Sequence, residues 1–546
     1  MTRPDADFDA VVNAPAGHPL EPQWAGPTGT RLDTWWGRLL ARPGAMRLWY
    51  WGGPIAVTLL AAVLRLVRLG DPRSLVFDET FYVKDAWTLL HLGYEASWPD
   101  KADQSFNAGD VGIFTTGGSY VAHPPLGKWM IALGLRVFGA QDTVGWRIST
   151  AIVGILAVFL LVVIARKLFN STLLATIAGG LFAIDGHAIV MSRTALLDNF
   201  AMIFTLLGFG AILLDRAKSA GQLSLWLARR ADAGRRIDWG PAIWWRPWLV
   251  AAGILFGAAT AVKWSGLYFL AAFALYSLVV DAVARRAAGI PFWISGTIFR
   301  QGPVTFLLTI PLAAVTYLAS WTGWFATRGG YYRNWAEVPG NAATGFFSRV
   351  PHSVQSFLHY QASVYDFNVN EHTAHPYSAN PFTWLLLLRP TAFYYVGQAQ
   401  GEGGCSFSSC AEYVTSIANP ILWWAATGAL LYLVYRLVRY REWRVGLILM
   451  GSVAGYLPWL LYSNRTIFQF YAIVFEPYLI LGLVLVIGLI LGRRTDSTVR
   501  RTRGVGVVAV FLFFVVLVSA FFYPVWTGMQ VPEVFARLHY WLPGWR

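Results

Sequence analysis

Long runs of apolar residues, separated by short charged segments, dominate the pattern along this chain. A helix needs about 20 apolar residues to cross the roughly 30 Å of hydrocarbon in a bilayer. Runs of about this length predict eleven membrane-spanning helices, at residues 48–68, 147–168, 172–191, 195–214, 247–263, 265–283, 303–322, 417–438, 444–462, 467–491 and 505–523. A shorter apolar run over 126–139, interrupted by Lys128 and Arg136, predicts an interfacial helix. We therefore expect an all-α polytopic membrane protein.

The basic residues indicate which loops face the cytoplasm, because Lys and Arg accumulate in short cytoplasmic loops. Basic clusters fall in every second loop, whereas the long loops 69–146 and 323–416 fall on the other side, and the first of these is acidic. With an odd number of spans, the N-terminus is expected in the cytoplasm and the tail 524–546 on the outer side of the membrane.

The composition fits this class and no ordinary soluble one, since 56% of the 546 residues are hydrophobic and only 13% are charged. Basic loops facing an anionic leaflet explain the net charge of +14, so no nucleic-acid partner is expected. Residues 1–47 are polar and predict a disordered cytoplasmic tail. After it we expect an N-terminal catalytic module at 48–322 with the first outer loop, a second outer loop at 323–416, and a C-terminal transmembrane module at 417–546.

Two cysteines occur, Cys405 and Cys410, both within GEGGCSFSSC of the second long loop. An oxidising exterior favours a disulfide between them, and two free thiols in a Gly/Ser-rich loop are the alternative. Two thiols fall short of the four ligands of a structural zinc site, and no compact group of oxygen ligands is visible. The sequence therefore gives no reason to expect a metal, although a divalent ion stays open.

An adjacent acid pair, Asp78 and Glu79, lies in FDETFYVKDAW just after the first predicted span. In a helix, Asp78, Tyr82 and Asp85 share one face, while Glu79 lies about 100° round. Carboxylates at the mouth of a membrane protein suit general-base chemistry on a hydroxyl group. The alternative is a solvated helix end in an acidic loop.

Three further polar clusters fall on the same predicted side of the membrane. In AHPPLGKWM two prolines precede a short helix, so His123 or Lys128 is expected to face a polar headgroup, or else the turn is only a stiff loop. Arg193 and Asp198 bracket another outer loop and form either part of a site or a structural salt bridge. Lys263 either reaches the interface or holds an anion.

The last cluster, in LYSNRTIFQFY, contains Arg465 and Tyr471. An arginine beside aromatic residues can grip a phosphate bidentately, and ordinary interface anchoring is the alternative. Together the clusters predict an anionic lipid substrate, because a phosphate leaving group needs cations and an acceptor hydroxyl needs a carboxylate base.

Several segments resemble the bacterial protein O-mannosyltransferases, particularly the actinobacterial branch. They are FDETFYVKDAWTLLHLGYEASWP, YVAHPPLGKWMIALG, GWRIST, SRTALLDNF, HPYSANPFTWLLLLRP and NRTIFQFY, and the resemblance runs over essentially the whole chain. It implies a family C glycosyltransferase (GT-C) fold that moves mannose from a polyprenyl-phosphate donor to Ser or Thr of a translocating protein, with inversion. The implied partners are the donor lipid, an acceptor protein and the protein-export machinery.

The resemblance also implies roles for individual residues. Asp78 would be the base and Glu79 would assist in positioning a substrate, while Arg465 would hold the donor phosphate and Arg147, in GWRIST, would lie near the active site. Further candidates for donor binding are Arg147, Lys128 and Tyr471, and further candidates for the substrate pocket are Tyr82, Asp85, His123, Arg193, Asp198 and His375.

Two other functions stay open at this level. A related transferase that adds a sugar to a lipid or cell-wall glycan shares an acid-bearing first outer loop, although the HPPLGK and HPYSANPF segments argue against it. A lipid or sugar transporter is the third possibility. Transporters tend to show internal repeats and a site at the membrane midplane, whereas the polar clusters here gather on one side.

Overall fold

The computed structural model describes residues 27–545, which are mostly helical. In chain order the helices are α1 Arg31–Leu40, α2 Pro43–Leu66, α3 Glu79–Leu92, α4 Ala102–Asn107, α5 Leu126–Phe138, α6 Thr143–Phe169, α7 Thr172–Ile184, α8 Gly186–Arg193, α9 Asp198–Asp232, α10 Pro247–Val262, α11 Gly266–Ala287, α12 Trp293–Ser320, α13 Thr322–Ala326, α14 His352–Asn370, α15 Pro420–Tyr440, α16 Trp443–Leu460, α17 Glu476–Leu491, α18 Thr498–Thr527 and α19 Glu533–Arg537. Short 3-10 helices lie at Trp335–Glu337, Gly345–Arg349, Pro381–Leu386, Gln469–Val474 and Pro543–Trp545.

Each of the eleven predicted spans coincides with a helix or a pair of helices. In the described part of the chain, seven helices are long and apolar enough to cross a membrane, namely α2, α6, α9, α11, α12, α15 and α18. The pair α7 and α8, bent by 59°, makes an eighth if it is one span. The other three predicted spans are shorter helices: α10 and α17 have 16 residues each and α16 has 18.

By length and composition alone, seven or eight helices of the described chain therefore qualify as membrane-spanning, whereas the sequence predicts eleven spans. Two local breaks explain part of the difference. Helix α10 stops at Lys263, whose backbone is extended, and the first part of the predicted span 467–491 is a 3-10 helix that leaves only α17 as regular helix. Both breaks occur where polar or aromatic side chains turn towards one cavity, which is described below.

Helices α6 and α17 form the centre of the bundle. Helix α6 packs against α2, α5, α7 and α9, and α17 packs against α7, α15, α16 and α18. At one end of the bundle Arg246 ties three helices together, because it donates to Asp215 of α9 and to Asp281 of α11 from the residue just before α10. The basic residues of this end are therefore partly used as structural links.

The prediction of a disordered tail over 1–47 is wrong for its last part, and residues 1–26 lie outside the described residues. Helix α1 begins after Thr30, whose side chain accepts from the N–H of Asp33 while the Asp33 side chain accepts from the N–H of Thr30. Such a capping box stabilises the first turn of a helix. Asp33 also accepts from Arg501 at 2.8 Å, which fastens α1 to the start of α18.

The first long loop carries three short helices, α3, α4 and α5, and α5 corresponds to the interfacial helix that the sequence predicts over 126–139. Helix α3 ends at Gly93, which has a positive φ of 81° and closes the helix in the left-handed conformation that favours glycine. Helix α5 begins directly after Pro125. It buries Lys128 and Ile131 on one face and leaves Val137 on the other face 74% exposed, as expected of a helix that lies along a surface.

The second long loop contains a small sheet that the all-α expectation did not include. Strand β1 Thr391–Ala399 pairs antiparallel with β2 Ser409–Ser416, and β2 pairs antiparallel with β3 Val531–Pro532, so that the strand order is β1-β2-β3. The favoured interpretation of the cysteines is confirmed, since Cys405 and Cys410 form a disulfide at the turn of this hairpin.

Candidate active site

Asp78 is the last residue before α3, at a tight turn of the first long loop. The preceding Phe77 has a positive φ of 48°, and its ring is held by aromatic neighbours: it stacks on Phe393 at 4.9 Å and meets Phe470 edge-on at 5.5 Å. A residue with a side chain adopts this backbone only where its surroundings hold it there. The aromatic contacts of Phe77 therefore fix where the Asp78 carboxyl lies.

The Asp78 carboxyl lies among groups that alter its acidity. Burial raises its pKa to about 6, and the negative charge of Asp198 acts in the same direction. The positive charge of Lys263 and a hydrogen bond of 3.4 Å from the Tyr82 hydroxyl oppose the shift. A carboxyl group with a pKa near the working pH is a stronger base than an ordinary aspartate and is still mostly ionised.

The Glu79 carboxylate binds groups of the protein itself, whereas the family resemblance implies that it helps to position a substrate. Its carboxylate is fully buried and accepts from Arg147 Nε and Nη2, both at 2.8 Å, and from the N–H groups of Val76 and Ala195. Because four donors satisfy its two oxygens, it has no free oxygen for a substrate. Glu79 instead holds the turn that carries Asp78 against α6.

The expected contact of Arg147 with the donor is likewise not supported. Its remaining N–H groups donate to the carbonyl oxygens of Pro72 and Ser74, both at 2.9 Å, and the side chain is fully buried. Its guanidinium is thus used entirely within the first loop, where it joins the segment before Asp78 to the start of α6.

Lys128 is also unavailable as a donor ligand. It is 1% exposed and pairs with Glu95 at 2.7 Å and with Asp85 at 3.5 Å, so that these three side chains link α5, α3 and the segment after α3. The predicted substrate-pocket role of Asp85 is therefore replaced by a structural one. Burial and the neighbouring Glu95 raise the pKa of Asp85 to about 6, while Lys128 opposes them.

The proposed pairing of Arg193 with Asp198 does not form. Arg193 instead donates to the carbonyl oxygens of Arg65, Val67 and Arg68, at 2.7 to 3.0 Å, and so satisfies the carbonyl groups at the end of α2. A helix end leaves such groups without intrahelical partners. Arg193 thus acts as a helix-capping residue, and its guanidinium is used by these main-chain carbonyl groups.

Asp198 pairs with Lys263, whose Nζ lies 2.7 Å from its carboxylate. The same ammonium lies 3.9 Å from the centre of the Tyr471 ring, a cation–π distance. Lys263 therefore lies between α9, the break after α10 and the 3-10 helix Gln469–Val474. This places it close to Asp78, beside a cavity.

The cavity, which we call the cation cavity, has a volume of about 290 Å³. Its walls are mainly aromatic, with polar groups at a few points, and are formed by Ala122, His123, Lys263, Trp264, Ser265, Leu267, Tyr268, Tyr365, Asn368, Val369, Trp459, Tyr462, Arg465 and Tyr471. Burial lowers the pKa of His123 well below its usual value, and the charges of Lys263, Lys128 and Arg465 lower it further. His123 is thus neutral, and the positive charge around it suits an anionic ligand.

Arg465 is only partly used by the protein. Its Nη2 donates to the side-chain oxygen of Asn368 at 3.0 Å, and its buried Nε has no hydrogen-bond partner among the described residues. A buried N–H of a charged group without a partner is costly, and a phosphate or carboxylate oxygen would satisfy it. Of the predicted cations, Arg465 therefore has the geometry of a ligand contact.

His375 lies beside the aromatic group around Phe77 and not in the cavity wall. Its ring meets Phe77 edge-on at 5.7 Å and Phe468 at 4.9 Å, and its Nδ1 accepts from the N–H of Tyr377.

The Tyr82 hydroxyl contacts the Asp78 carboxylate, and the Tyr82 ring lies 6.2 Å from the ring of His123. The structure thus brings Asp78, Tyr82, His123, Lys263, Arg465 and Tyr471 together, with Asp198 behind Lys263 and His375 at the edge.

Several wall residues were not expected from the sequence, chiefly the aromatic ones. Tyr268 and Tyr462 share a hydrogen bond of 3.3 Å across the cavity wall, although they are far apart along the chain. An aromatic residue at the end of an apolar run resembles any interface anchor, so no sequence signal distinguishes these residues. Among residues 27–545, no group of three or more His, Cys, Asp or Glu side chains gathers in a metal-binding arrangement.

The fold defines a multi-pass membrane protein with the GT-C architecture. Of the solved structures, the Saccharomyces cerevisiae protein O-mannosyltransferase Pmt1-Pmt2 complex bound to the sugar donor matches with a TM-score of 0.67 at 16% identity, covering 95% of both chains. Residues 55–322 match the family described as dolichyl-phosphate-mannose-protein mannosyltransferase, and residues 353–545 match the C-terminal four-transmembrane region of protein O-mannosyltransferase.

Curated relatives agree with this family. The polyprenol-phosphate-mannose–protein mannosyltransferase of Mycolicibacterium smegmatis is 35% identical over 506 residues, which cover 91% of this chain and 93% of the relative. Proteins of the same name from Mycobacterium tuberculosis and Corynebacterium glutamicum are 35% and 31% identical, and each match covers 90% of this chain and 91% or 92% of the relative. The chain belongs to the protein O-mannosyltransferase family.

Proposed function

We propose that this protein transfers mannose from a polyprenyl-phosphate-mannose donor to the hydroxyl group of Ser or Thr in proteins, with inversion at the sugar. The observation that carries the proposal is the position of the Asp78 carboxyl beside a cavity that contains Lys263 and the incompletely paired Arg465. This arrangement offers a base and two cations to a hydroxyl and a phosphate. The names of the relatives supply the sugar and the acceptor class.

The chemistry follows from the charges. The Asp78 carboxylate accepts the proton of the acceptor hydroxyl, whose oxygen attacks the anomeric carbon of mannose. The bond between that carbon and the phosphate oxygen breaks, and the polyprenyl phosphate leaves with one more negative charge. Arg465 and Lys263 stabilise that charge, and Asp78 later gives its proton to solvent.

The cavity walls fit a phosphate that carries an apolar chain. Trp264, Leu267 and Trp459 supply apolar surface close to the cations, and the Tyr471 ring holds the Lys263 ammonium in place. Lys263 keeps N–H groups beyond the one that contacts Asp198, because an ammonium has three donors. A phosphate between Lys263 and Arg465 would complete the hydrogen bonds of both.

The orientation that we propose places Asp78 on the extracytoplasmic side of the cell membrane, with the N-terminus in the cytoplasm. Basic loops support it, since Arg166, Arg229 and Arg285 lie at the ends of their helices opposite to the Asp78 loop. Acceptors would then arrive as exported polypeptides. Within the chain, the module 48–322 would supply Asp78 and Lys263, and the module 417–546 would supply Arg465.

The test uses the full-length protein in vesicles with polyprenyl-phosphate-mannose and a Ser/Thr peptide. Asp78→Asn should abolish mannosylation of the peptide and leave the protein folded, because it removes the base and little volume. Asp110→Asn is the matched control, since Asp110 is an exposed acid of the same loop whose side chain makes no hydrogen bond within the described chain. Transfer by Asp78→Asn at the rate of the control would contradict the proposal.

The acceptor is tested in the same assay. A cell-wall glycan or lipid acceptor offered with the same donor should receive no mannose. Transfer to that acceptor, and not to the peptide, would assign the chain to glycan or lipid glycosylation.

A further inference from the structure

Strand β1 has an open edge, because β2 lies between β1 and β3 and is the only strand that pairs with β1 in the described part of the chain. Its outer half is solvent-accessible, with Tyr395 at 54% exposure and Gly397 also exposed. An open strand edge presents a row of main-chain N–H and C=O groups that can pair with another extended segment.

The ladder identifies which groups point to this open edge. In an antiparallel pair, residues alternately turn both main-chain groups towards the partner or away from it. On β2, the Tyr413 carbonyl oxygen accepts from Gly528, and Ala411 pairs with β3, so both turn their groups away from β1. Their partners on β1 are Tyr395 and Gly397, which therefore turn their own groups to the open edge.

The open edge leads to the candidate base. The register of the ladder shifts between Ala392 and Tyr394, and the bulged Phe393 stacks its ring on Phe77, the neighbour of Asp78. At about 3.3 Å per residue, the open groups of Tyr395 and Gly397 begin about 7 Å and about 13 Å from this stack. A segment paired with them reaches Asp78 within a few residues.

We propose that the open edge of β1 binds the acceptor polypeptide as an added strand and delivers its Ser or Thr to Asp78. This inference rests on the proposed function, in which the acceptor is a protein. A polypeptide fits because it alone among the two substrates carries regularly spaced amide groups, and pairing through the main chain accepts many side chains. The donor, a sugar on a phosphate and a hydrocarbon chain, has no such series.

The decisive experiment measures transfer by the wild-type protein to a set of acceptor peptides, each with one N-methylated main-chain amide. Methylation removes one N–H and adds bulk at the pairing edge. On one side of the acceptor residue, we expect kcat/KM to fall about tenfold or more at every second position and to change little at the positions between. The peptide series leaves the enzyme itself unchanged, so a folding defect plays no part.

A pair of variants tests the same edge from the enzyme side. Gly397→Pro and Gly397→Ala both add a Cβ, which meets the Tyr395 hydroxyl in either case, but only proline removes the N–H that faces the open edge. We expect KM for the peptide to be about tenfold higher in Gly397→Pro than in Gly397→Ala. Equal KM values for the two variants would overturn the proposal.

Other results overturn the proposal in distinguishable ways. The wild-type protein could mannosylate all peptides of the set equally, or lose activity only when the acceptor residue itself is methylated. Either result would contradict binding of the acceptor as an added strand and would leave the proposed function intact. If the protein mannosylates no peptide, both fail. If Gly397→Pro changes the oligomeric mass of the purified protein, the edge joins two copies of the chain and does not bind the acceptor.

Discussion

The buried pair of Glu79 and Arg147 offers a sharp test of how the Asp78 turn is held. The family resemblance implies that Glu79 helps to position a substrate and that Arg147 lies near the active site, whereas in the structure the two side chains bind each other and the first loop. We therefore expect Glu79→Met and Arg147→Met each to destabilise the protein, and the double variant to cost much less than the sum of the two.

The size of the effect follows from burial and from the number of bonds. Both side chains are fully buried, and removing one member of a buried ion pair leaves the other without compensation, which costs about 3–5 kcal/mol. Removing both costs less, because no uncompensated charge remains and the methionines fill much of the space. A coupling free energy of about 2–3 kcal/mol is therefore expected in the double-mutant cycle.

The assay is chemical unfolding of the full-length protein in mixed micelles, with the four forms of the cycle measured side by side. Donor KM is measured on the same samples. A direct role for Arg147 in phosphate binding would appear as a large rise in donor KM with an unchanged free energy of unfolding. Additive losses of stability would equally contradict the structural pair.

Four further predictions concern the site and the sheet. The kcat/KM for the peptide should rise as the pH passes through about 6, because Asp78 accepts a proton only when ionised; a flat profile would remove Asp78 as the base. Because the raised pKa penalises the ionised form in the folded state, Asp78→Asn should be more stable than the wild type at neutral pH, and this difference should vanish below the unfolded value of 3.8. Arg465→Gln should raise donor KM about 10- to 100-fold, as expected for a charged hydrogen bond, and leave peptide KM nearly unchanged; equal changes in both would argue against a phosphate contact. Replacing Cys405 and Cys410 by Ser removes a disulfide between residues only five positions apart and should lower the free energy of unfolding by about 2 kcal/mol, with peptide transfer retained; a loss of peptide transfer would tie the disulfide to the site.

The positions of the helices could be predicted from the sequence, because crossing a membrane imposes a length and an apolar composition that few other segments have. The breaks could not be predicted equally well. The bend between α7 and α8, the end of α10 at Lys263 and the 3-10 helix Gln469–Val474 all fall inside apolar runs. Each depends on side-chain and backbone partners from other helices, which hydropathy does not record.

The hairpin of β1 and β2 illustrates the same limit in the second loop. Its strands contain alternating and aromatic residues that fit a sheet, but β3 comes from the end of the chain. Two strands that pair across more than a hundred residues leave no pattern in the local sequence that would predict the pairing. The disulfide was predictable, because it needed only two cysteines and an oxidising compartment.

The cations that the sequence offers as donor ligands differ in their partners within the protein. Lys128 lies in the first loop and Arg147 lies near the start of α6. Both have carboxylate partners in that loop, and the sequence does not indicate the pairing: Glu79 pairs with Arg147, and Asp85 and Glu95 pair with Lys128. An acidic loop in a membrane protein needs such internal cations, because its buried carboxylates are otherwise too costly.

Arg465 differs, because its guanidinium donates to the neutral Asn368 and its buried Nε has no hydrogen-bond partner among the described residues. An arginine with a neutral partner keeps its charge available for a ligand, whereas one already paired with a carboxylate does not. The family resemblance alone could not separate these cases, since all three cations fall in matching segments. The partners of these three cations therefore distinguish them, and by that criterion Arg465 is the one that keeps its charge available for the donor phosphate that we propose.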